Sequence, residues 1–111
     1  MTNAPIDDQV IRNAFGDDDE TVTEILQSFL APGLKTVKRL RDGLDQHALQ
    51  EIRIAAHNLG SGALQIGAME LGKLAREVEA AANRGDWGFI EATVPTLESL
   101  MVAVSTYIES L

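Results

Sequence analysis

The sequence ALQEIRIAAHNLGSGALQI, residues 48–66, decides the fold of this chain because its apolar residues recur at helical spacing. At about 100° per residue, these positions fall on one side of a helix. The members of that stripe are Ala48, Leu49, Ile52, Ala56, Leu59, Ala63 and Ile66. His57 lies roughly 140° from Ile52 on the same projection, so its imidazole is predicted to face water. The stretch is therefore predicted to be an amphipathic helix that carries an exposed histidine.

The segment before this stretch has the same helical periodicity and no strand-like alternation. A short helix over residues 6–15 is predicted to end at Gly16 and to bury Ile6, Val10, Ile11 and Ala14. Asp17, with Glu20 three residues later, has the spacing of a capping box and is the predicted start of a second helix. We expect a kink or a one-turn break at Pro32 and a terminal turn at residues 42–43.

The segment after this stretch adds two more helices. The third helix is predicted to run from about residue 45 or 46 to about residue 64, followed by a tight connection at residues 66–68. A fourth helix ends at residues 83–85, and Asp86 caps a fifth that includes Pro95. Long helices joined by short turns favour antiparallel neighbours. We predict an all-α fold, an up-down-up-down four-helix bundle with a short N-terminal cap helix, as one domain over residues 1–111.

The composition excludes several classes of function. Seventeen acidic against nine basic residues give a net charge of -8, which argues against binding to nucleic acid or to anionic membranes. The chain has no cysteine, no run of eighteen apolar residues and no basic-then-apolar leader. We expect a free-standing cytoplasmic protein that is a monomer.

The surroundings of His57 allow two interpretations. Ile54 and Leu64 lie on the same predicted water-facing side as Gly60 and Ser61, so they could form a small apolar docking surface. Alternatively, Ile54 packs against the cap helix and Leu64 lies under the following turn. His57 itself could be a surface histidine without a task, or a donor that caps a helix.

Two kinds of site are disfavoured by spacing. His47 and His57 are the only histidines, and ten residues separate them, so they lack the i, i+4 spacing of a shared metal ligand pair. No metal site is predicted. Ser61 is one turn from His57 on the same helix, where the side chains point outward in parallel without oxyanion donors, which argues against a hydrolase.

The residues from Ala56 to Ala68 resemble the motif of histidine-containing phosphotransfer (HPt) domains. That motif reads approximately His-x-Leu-Lys-Gly-Ser, followed after four residues by Gly-Ala, and His57, Leu59, Gly67 and Ala68 stand at the matching spacings. The family's pattern on the next helix matches Leu71, Leu74, Val78 and Glu79. Length and helix order agree over nearly the whole chain.

The chain departs from the family pattern in two places. Gly60 stands where the family usually has a lysine that helps to neutralise the phosphoryl group, and Ser61-Gly62 stands where it has Gly-Ser. Arg53 and Arg76 are the candidates to replace that cation. Ser61 is either a hydrogen-bond donor to a phosphoryl oxygen or only a small residue that leaves space.

The resemblance implies that His57 is phosphorylated and that Glu79 orients it through Nδ1, unless Glu79 is only a solvated residue on the helix face. The chain would then carry a phosphoryl group between a sensor histidine kinase or receiver domain and another response-regulator receiver. It would bind no cofactor itself, because Mg²⁺ would sit on the receiver partner, and no nucleotide-binding motif is present. The chain would be a phosphocarrier and not an enzyme with its own ATP site. The alternatives are a non-catalytic module that docks a receiver or kinase as inhibitor or adaptor, and a bundle that only oligomerises.

Overall fold

The computed structural model describes residues 4–111, which form five α-helices and no β-strand. α1 spans Gln9–Phe15, α2 Asp19–Asp45, α3 Leu49–Gln65, α4 Met69–Asn83 and α5 Trp87–Glu109. α2 packs against α3 and α5, α4 also packs against α3 and α5, and α1 contacts α2. The helical bundle and the short additional helix predicted from the periodicity are confirmed.

The core follows the predicted apolar stripes. Its largest fully buried side chains are Ile11, Leu26, Leu40, Ile52, Leu59, Leu71, Ile90, Leu97, Met101 and Ile108. Burial of one such side chain contributes roughly 1.5–3 kcal/mol to the stability of the fold. Ile6 and Ile11 are buried as predicted, but Val10 is only partly buried and Ala14 is exposed. The short α1 packs mainly against α2, so only Ile11 of its own residues reaches the core.

The second helix begins and ends later than the sequence predicts. Asp18, not Asp17, is the N-cap, and its carboxylate accepts from the backbone N–H of Thr21 at 3.3 Å. A hydrogen bond from the Thr21 hydroxyl, together with this one from the Thr21 backbone, holds the pKa of Asp18 below its ordinary value. The helix continues through Pro32 without a break and through Gly43, which is buried. A Cβ at position 43 would lie 3.1 Å from Cγ1 of Ile52, so packing against α3 explains the glycine there.

The turn between α2 and α3 is formed around His47, which has a left-handed φ of 55°. α3 therefore starts at Leu49, later than the predicted residue 45 or 46. The His47 ring stacks on the indole of Trp87 with the ring centroids 3.7 Å apart. This contact ties the α2–α3 turn to the first residue of α5.

The turn between α3 and α4 positions the functional side chains because it sets the two helices beside each other. Gly67 adopts a φ of 82°, which glycine tolerates far better than other residues. Its carbonyl accepts from the backbone N–H of Asp7 at 2.8 Å, and a Cβ at position 67 would collide with the Asp7 carbonyl oxygen. The N-terminal segment thus fixes this turn from outside.

Candidate functional site

His57 is exposed on the middle of α3, as the periodicity predicts. Its side chain has 51% of its surface accessible, whereas Ala56 and Leu59 beside it are buried in the core. The opposite face of α3 is buried along the Ile52 stripe, so core packing holds the backbone that carries the imidazole. An exposed imidazole can act as a nucleophile near neutral pH.

Glu79 of α4 makes the closest polar contact to this ring. Its Oε2 lies 2.9 Å from Nδ1 of His57, and its side chain is only 19% exposed. A carboxylate only accepts hydrogen bonds, so Nδ1 carries the proton and donates it to Glu79. Nε2 is then the nitrogen with the free lone pair. The pairing predicted between these two residues is present.

Many of the buried residues of α3 and α4 are small. The buried positions of the two helices that carry no side chain beyond Cβ are Ala55, Ala56, Gly60, Ala63, Gly72, Ala75, Ala81 and Ala82. Interiors pack to a high density, so small facing side chains let two helix backbones approach closely. α3 and α4 are close enough for the Glu79 carboxylate to reach His57.

Gly60 and Ser61 follow His57 at the next turn of α3, where they meet Arg76 of α4. The guanidinium Nη2 of Arg76 donates to Oγ of Ser61 at 3.3 Å. Gly60 was predicted to face water and is instead buried, because the Arg76 side chain covers it. A Cβ on Gly60 would lie 3.0 Å from Nε and 3.2 Å from Cδ of that arginine.

Arg53 lies on the other side of His57, one turn earlier on α3. It borders a shallow depression whose other lining residues are Leu49, Gln50, Ala82 and Asn83. That depression is formed by the first turn of α3 and the last turn of α4. The structure therefore brings Arg76, and not Arg53, into contact with Ser61.

The two apolar residues predicted to flank His57 are both partly buried. Ile54 is partly buried on α3. Leu64 packs on Gly72 of α4, since a Cβ at position 72 would lie 2.6 Å from both its Cγ and its Cδ2. Leu64 was predicted to face water or to lie under the following turn; it is partly buried, and it packs against α4 and not under the turn.

Gly72 is the contact that the sequence analysis missed. It is buried in the interior of α4, where a glycine lowers helix stability by about 1 kcal/mol relative to alanine. Gly72 is the fourth residue of α4, and a glycine inside a predicted helix was the available signal that another side chain occupies its Cβ position.

Across residues 4–111, no three His, Cys, Asp or Glu side chains cluster closely enough to hold a metal ion. In the same range, none of the helices has both the length and the apolar character of a membrane span.

The chain is similar to known proteins in its sequence family and in its fold. The family model of the Hpt domain matches residues 24–107. The chain is similar to the crystal structure of histidine-containing phosphotransfer protein B (HptB) from Pseudomonas aeruginosa PAO1, with a TM-score of 0.85 and 20% sequence identity over 98% of this chain and 95% of that chain. At that identity the likeness concerns the fold alone. A search of curated proteins gives no significant match.

Proposed function

Since this chain belongs to the Hpt domain family, we propose that His57 carries a phosphoryl group between a histidine kinase or receiver domain and another response-regulator receiver. The observation that supports this most directly is the hydrogen bond of 2.9 Å between Nδ1 of His57 and Glu79. It occupies one ring nitrogen and leaves the other as a nucleophile on a half-exposed side chain.

The proposed transfer needs no proton movement on the ring. The Nε2 lone pair attacks the phosphorus of an aspartyl phosphate on the partner, the P–O bond to that aspartate breaks, and the carboxylate leaves with the electron pair. The imidazole then carries a positive charge while Nδ1 keeps its proton. Glu79, which already accepts from Nδ1, offsets that charge. The reverse sequence delivers the phosphoryl group to the next receiver.

The rest of the chemistry is assigned to the partner. The sequence contains no glycine-rich loop followed by Lys-Ser or Lys-Thr, so an ATP site is not expected on this chain. The receiver would supply carboxylates and Mg²⁺, which stabilise the charge of the transferring phosphoryl group. This makes the chain a phosphocarrier, and we expect it to act as a monomer in the cytoplasm.

The partner is proposed to dock on the face around His57. Ile54 and Leu64 are both partly exposed there, and Ser61 with Gly62 presents little side-chain bulk on the following turn. Replacing Ile54 by Asp should weaken receiver binding while the bundle stays folded, because this side chain is outside the fully buried core. An unchanged dissociation constant would remove Ile54 from the docking surface.

The deciding experiment follows phosphate onto one histidine. The protein is mixed with a phosphorylated receiver or with a histidine kinase and ATP, and acid-labile, base-stable phosphate is measured. Label is expected on the wild type and on His47→Gln, which alters the only other histidine. No label is expected on His57→Gln. Label that persists on this variant would contradict the assignment, and receiver binding without any label on the wild type would favour the non-catalytic docking module.

A further inference from the structure

A phosphoryl group on His57 would create a concentration of negative charge. At neutral pH such a group brings between one and two negative charges. It would stand close to the Glu79 carboxylate, on a chain whose net charge is already -8. A cation of this chain near Nε2 would therefore favour the phosphorylated state.

The described ion pairs narrow the choice of cation. Five of the nine basic residues pair with carboxylates: Arg12, Lys38, Arg39, Arg41 and Arg84. The remaining four have no carboxylate partner within residues 4–111, and these are Lys35, Arg53, Lys73 and Arg76. A cation without a carboxylate partner can bind an anion without first breaking an ion pair.

Arg76 is the one of these four that the structure fixes beside the turn following His57. Its guanidinium donates to Ser61, which is four residues after His57 and hence on the same face of α3. An arginine has five N–H donors in a planar fork, so it can keep Ser61 and still donate to a phosphoryl oxygen.

Gly60 makes this position possible. The Cγ, Cδ and Nε atoms of Arg76 all lie within 3.4 Å of where a Cβ at position 60 would be. Arg76 supplies all three of the nearest contacts found for that Cβ. A side chain at position 60 would therefore meet Arg76 first.

We propose that Arg76, reaching over Gly60 from α4, binds the phosphoryl group on His57, and that Gly60 is the space this arginine needs. The inference rests on the proposed function for the identity of the anion. It assigns the cation to α4, and it couples two positions that are sixteen residues apart in the chain.

The first test needs no partner protein. Phosphoramidate is used to phosphorylate the histidines, the His57 signal is identified by ³¹P NMR through its loss in His57→Gln, and its phosphoryl pKa is measured. A nearby cation lowers that pKa because it favours the dianion. In Arg76→Gln the pKa should rise by about 0.5 unit, the size of shift that an exposed ion pair produces.

The matched control is Lys73→Gln, which removes the same charge from α4 at another exposed position. Its phosphoryl pKa should stay close to that of the wild type. Equal shifts in the two variants would mean a general effect of net charge and would overturn the proposal. So would an unchanged pKa in Arg76→Gln.

The second test measures coupling between the two positions. Arg76→Gln should slow transfer from a phosphorylated receiver about fivefold, as expected for the loss of one partly exposed charge-assisted contact. Gly60→Ala should slow it by a smaller factor, and in the Arg76→Gln background it should have no further effect. Circular dichroism and thermal unfolding verify that each variant is folded.

Independent effects of the two substitutions would overturn the coupling. A wild-type chain that takes no label from any receiver would instead refute the proposed phosphotransfer function. The NMR comparison would still report whether Arg76 binds a phosphoryl group on His57, so the two failures are distinguishable.

Discussion

Replacing Glu79 tests whether this carboxylate positions His57 for phosphotransfer. Glu79→Ala removes the acceptor of the Nδ1 proton, and Glu79→Gln keeps an acceptor oxygen without its charge. If Nδ1–H is no longer held, the proton can move to Nε2, which then has no lone pair for attack. Positive charge on the phosphorylated ring also loses its counter-charge.

The structure sets the size of the effect. A hydrogen bond to a charged group contributes about 1.5–3 kcal/mol when it is well shielded, and an exposed ion pair contributes about 0.2–1 kcal/mol. With Glu79 19% exposed and His57 51% exposed, this pair lies between the two cases. We take about 1.4 kcal/mol, which corresponds to about tenfold in rate for Glu79→Ala. Neutral hydrogen bonds are about half as strong, so Glu79→Gln should cost about threefold.

Two measurements check this prediction. Rapid-quench experiments give the rate of transfer from a phosphorylated receiver, and ¹⁵N NMR of the imidazole gives the fraction of each tautomer. Glu77→Gln is the matched control, because it removes a carboxylate from an exposed position of α4 two residues away. We expect the transfer rate to fall from the wild type to Glu79→Gln and further to Glu79→Ala. The fraction of the Nδ1–H tautomer should fall in the same order. Equal rates and an unchanged tautomer in Glu79→Ala would refute the reasoning.

Three further predictions concern the fold that holds the site. Gly72→Ala should lower the free energy of unfolding, measured by urea denaturation, by about 1–3 kcal/mol through overpacking against Leu64. The same substitution should cost less in a Leu64→Ala variant, where the overpacking is relieved. An equal cost in the wild type and in Leu64→Ala would exclude the contact. Gly67→Ala should cost at least about 1–2 kcal/mol because its φ of 82° is left-handed, and a thermal midpoint equal to that of the wild type would argue against the turn described. Glu98 accepts from Nε of Arg41 at 3.0 Å, which holds the pKa of Glu98 below its ordinary value of 4.5. The Arg41–Glu98 pair therefore stabilises the fold above pH 4.5, by at most about 1 kcal/mol because the pair is partly exposed. This stabilisation is lost as the pH falls through the lowered pKa of Glu98. Glu98→Gln should remove this part of the loss of stability in acid.

The features that the sequence predicts well are those set along a single helix. The Ile52 stripe and the exposure of His57 follow from the period of 3.6 residues that every α-helix has, with one face of α3 buried. The pairing of His57 with Glu79 was reachable only through the resemblance to a family. A spacing of twenty-two residues across a turn cannot be read from periodicity.

The features that the sequence predicts poorly depend on contacts between helices. Gly43 was taken as a helix end, but it lies within α2 where Ile52 packs on it. Gly60 was taken as an exposed position, but Arg76 covers it. In each case the glycine leaves room for a side chain of another helix to pack against it. Local helix propensity says nothing about which side chain packs there, so tertiary packing decides the role of the glycine.

The location of the cation also bears on how a partner can approach. A long side chain at position 60 would stand on α3 between His57 and Leu64, on the face where a receiver is proposed to dock. With the charge supplied from α4, that turn of α3 carries no long side chain of its own, only Gly60 beneath Arg76 and the small residues Ser61 and Gly62. Adding a lysine at position 60 would therefore supply a second cation but displace Arg76 and fill the docking face. We expect Gly60→Lys to weaken receiver binding even if it stabilises the phosphorylated state, so the two effects separate when binding and phosphoryl lifetime are measured on the same variant.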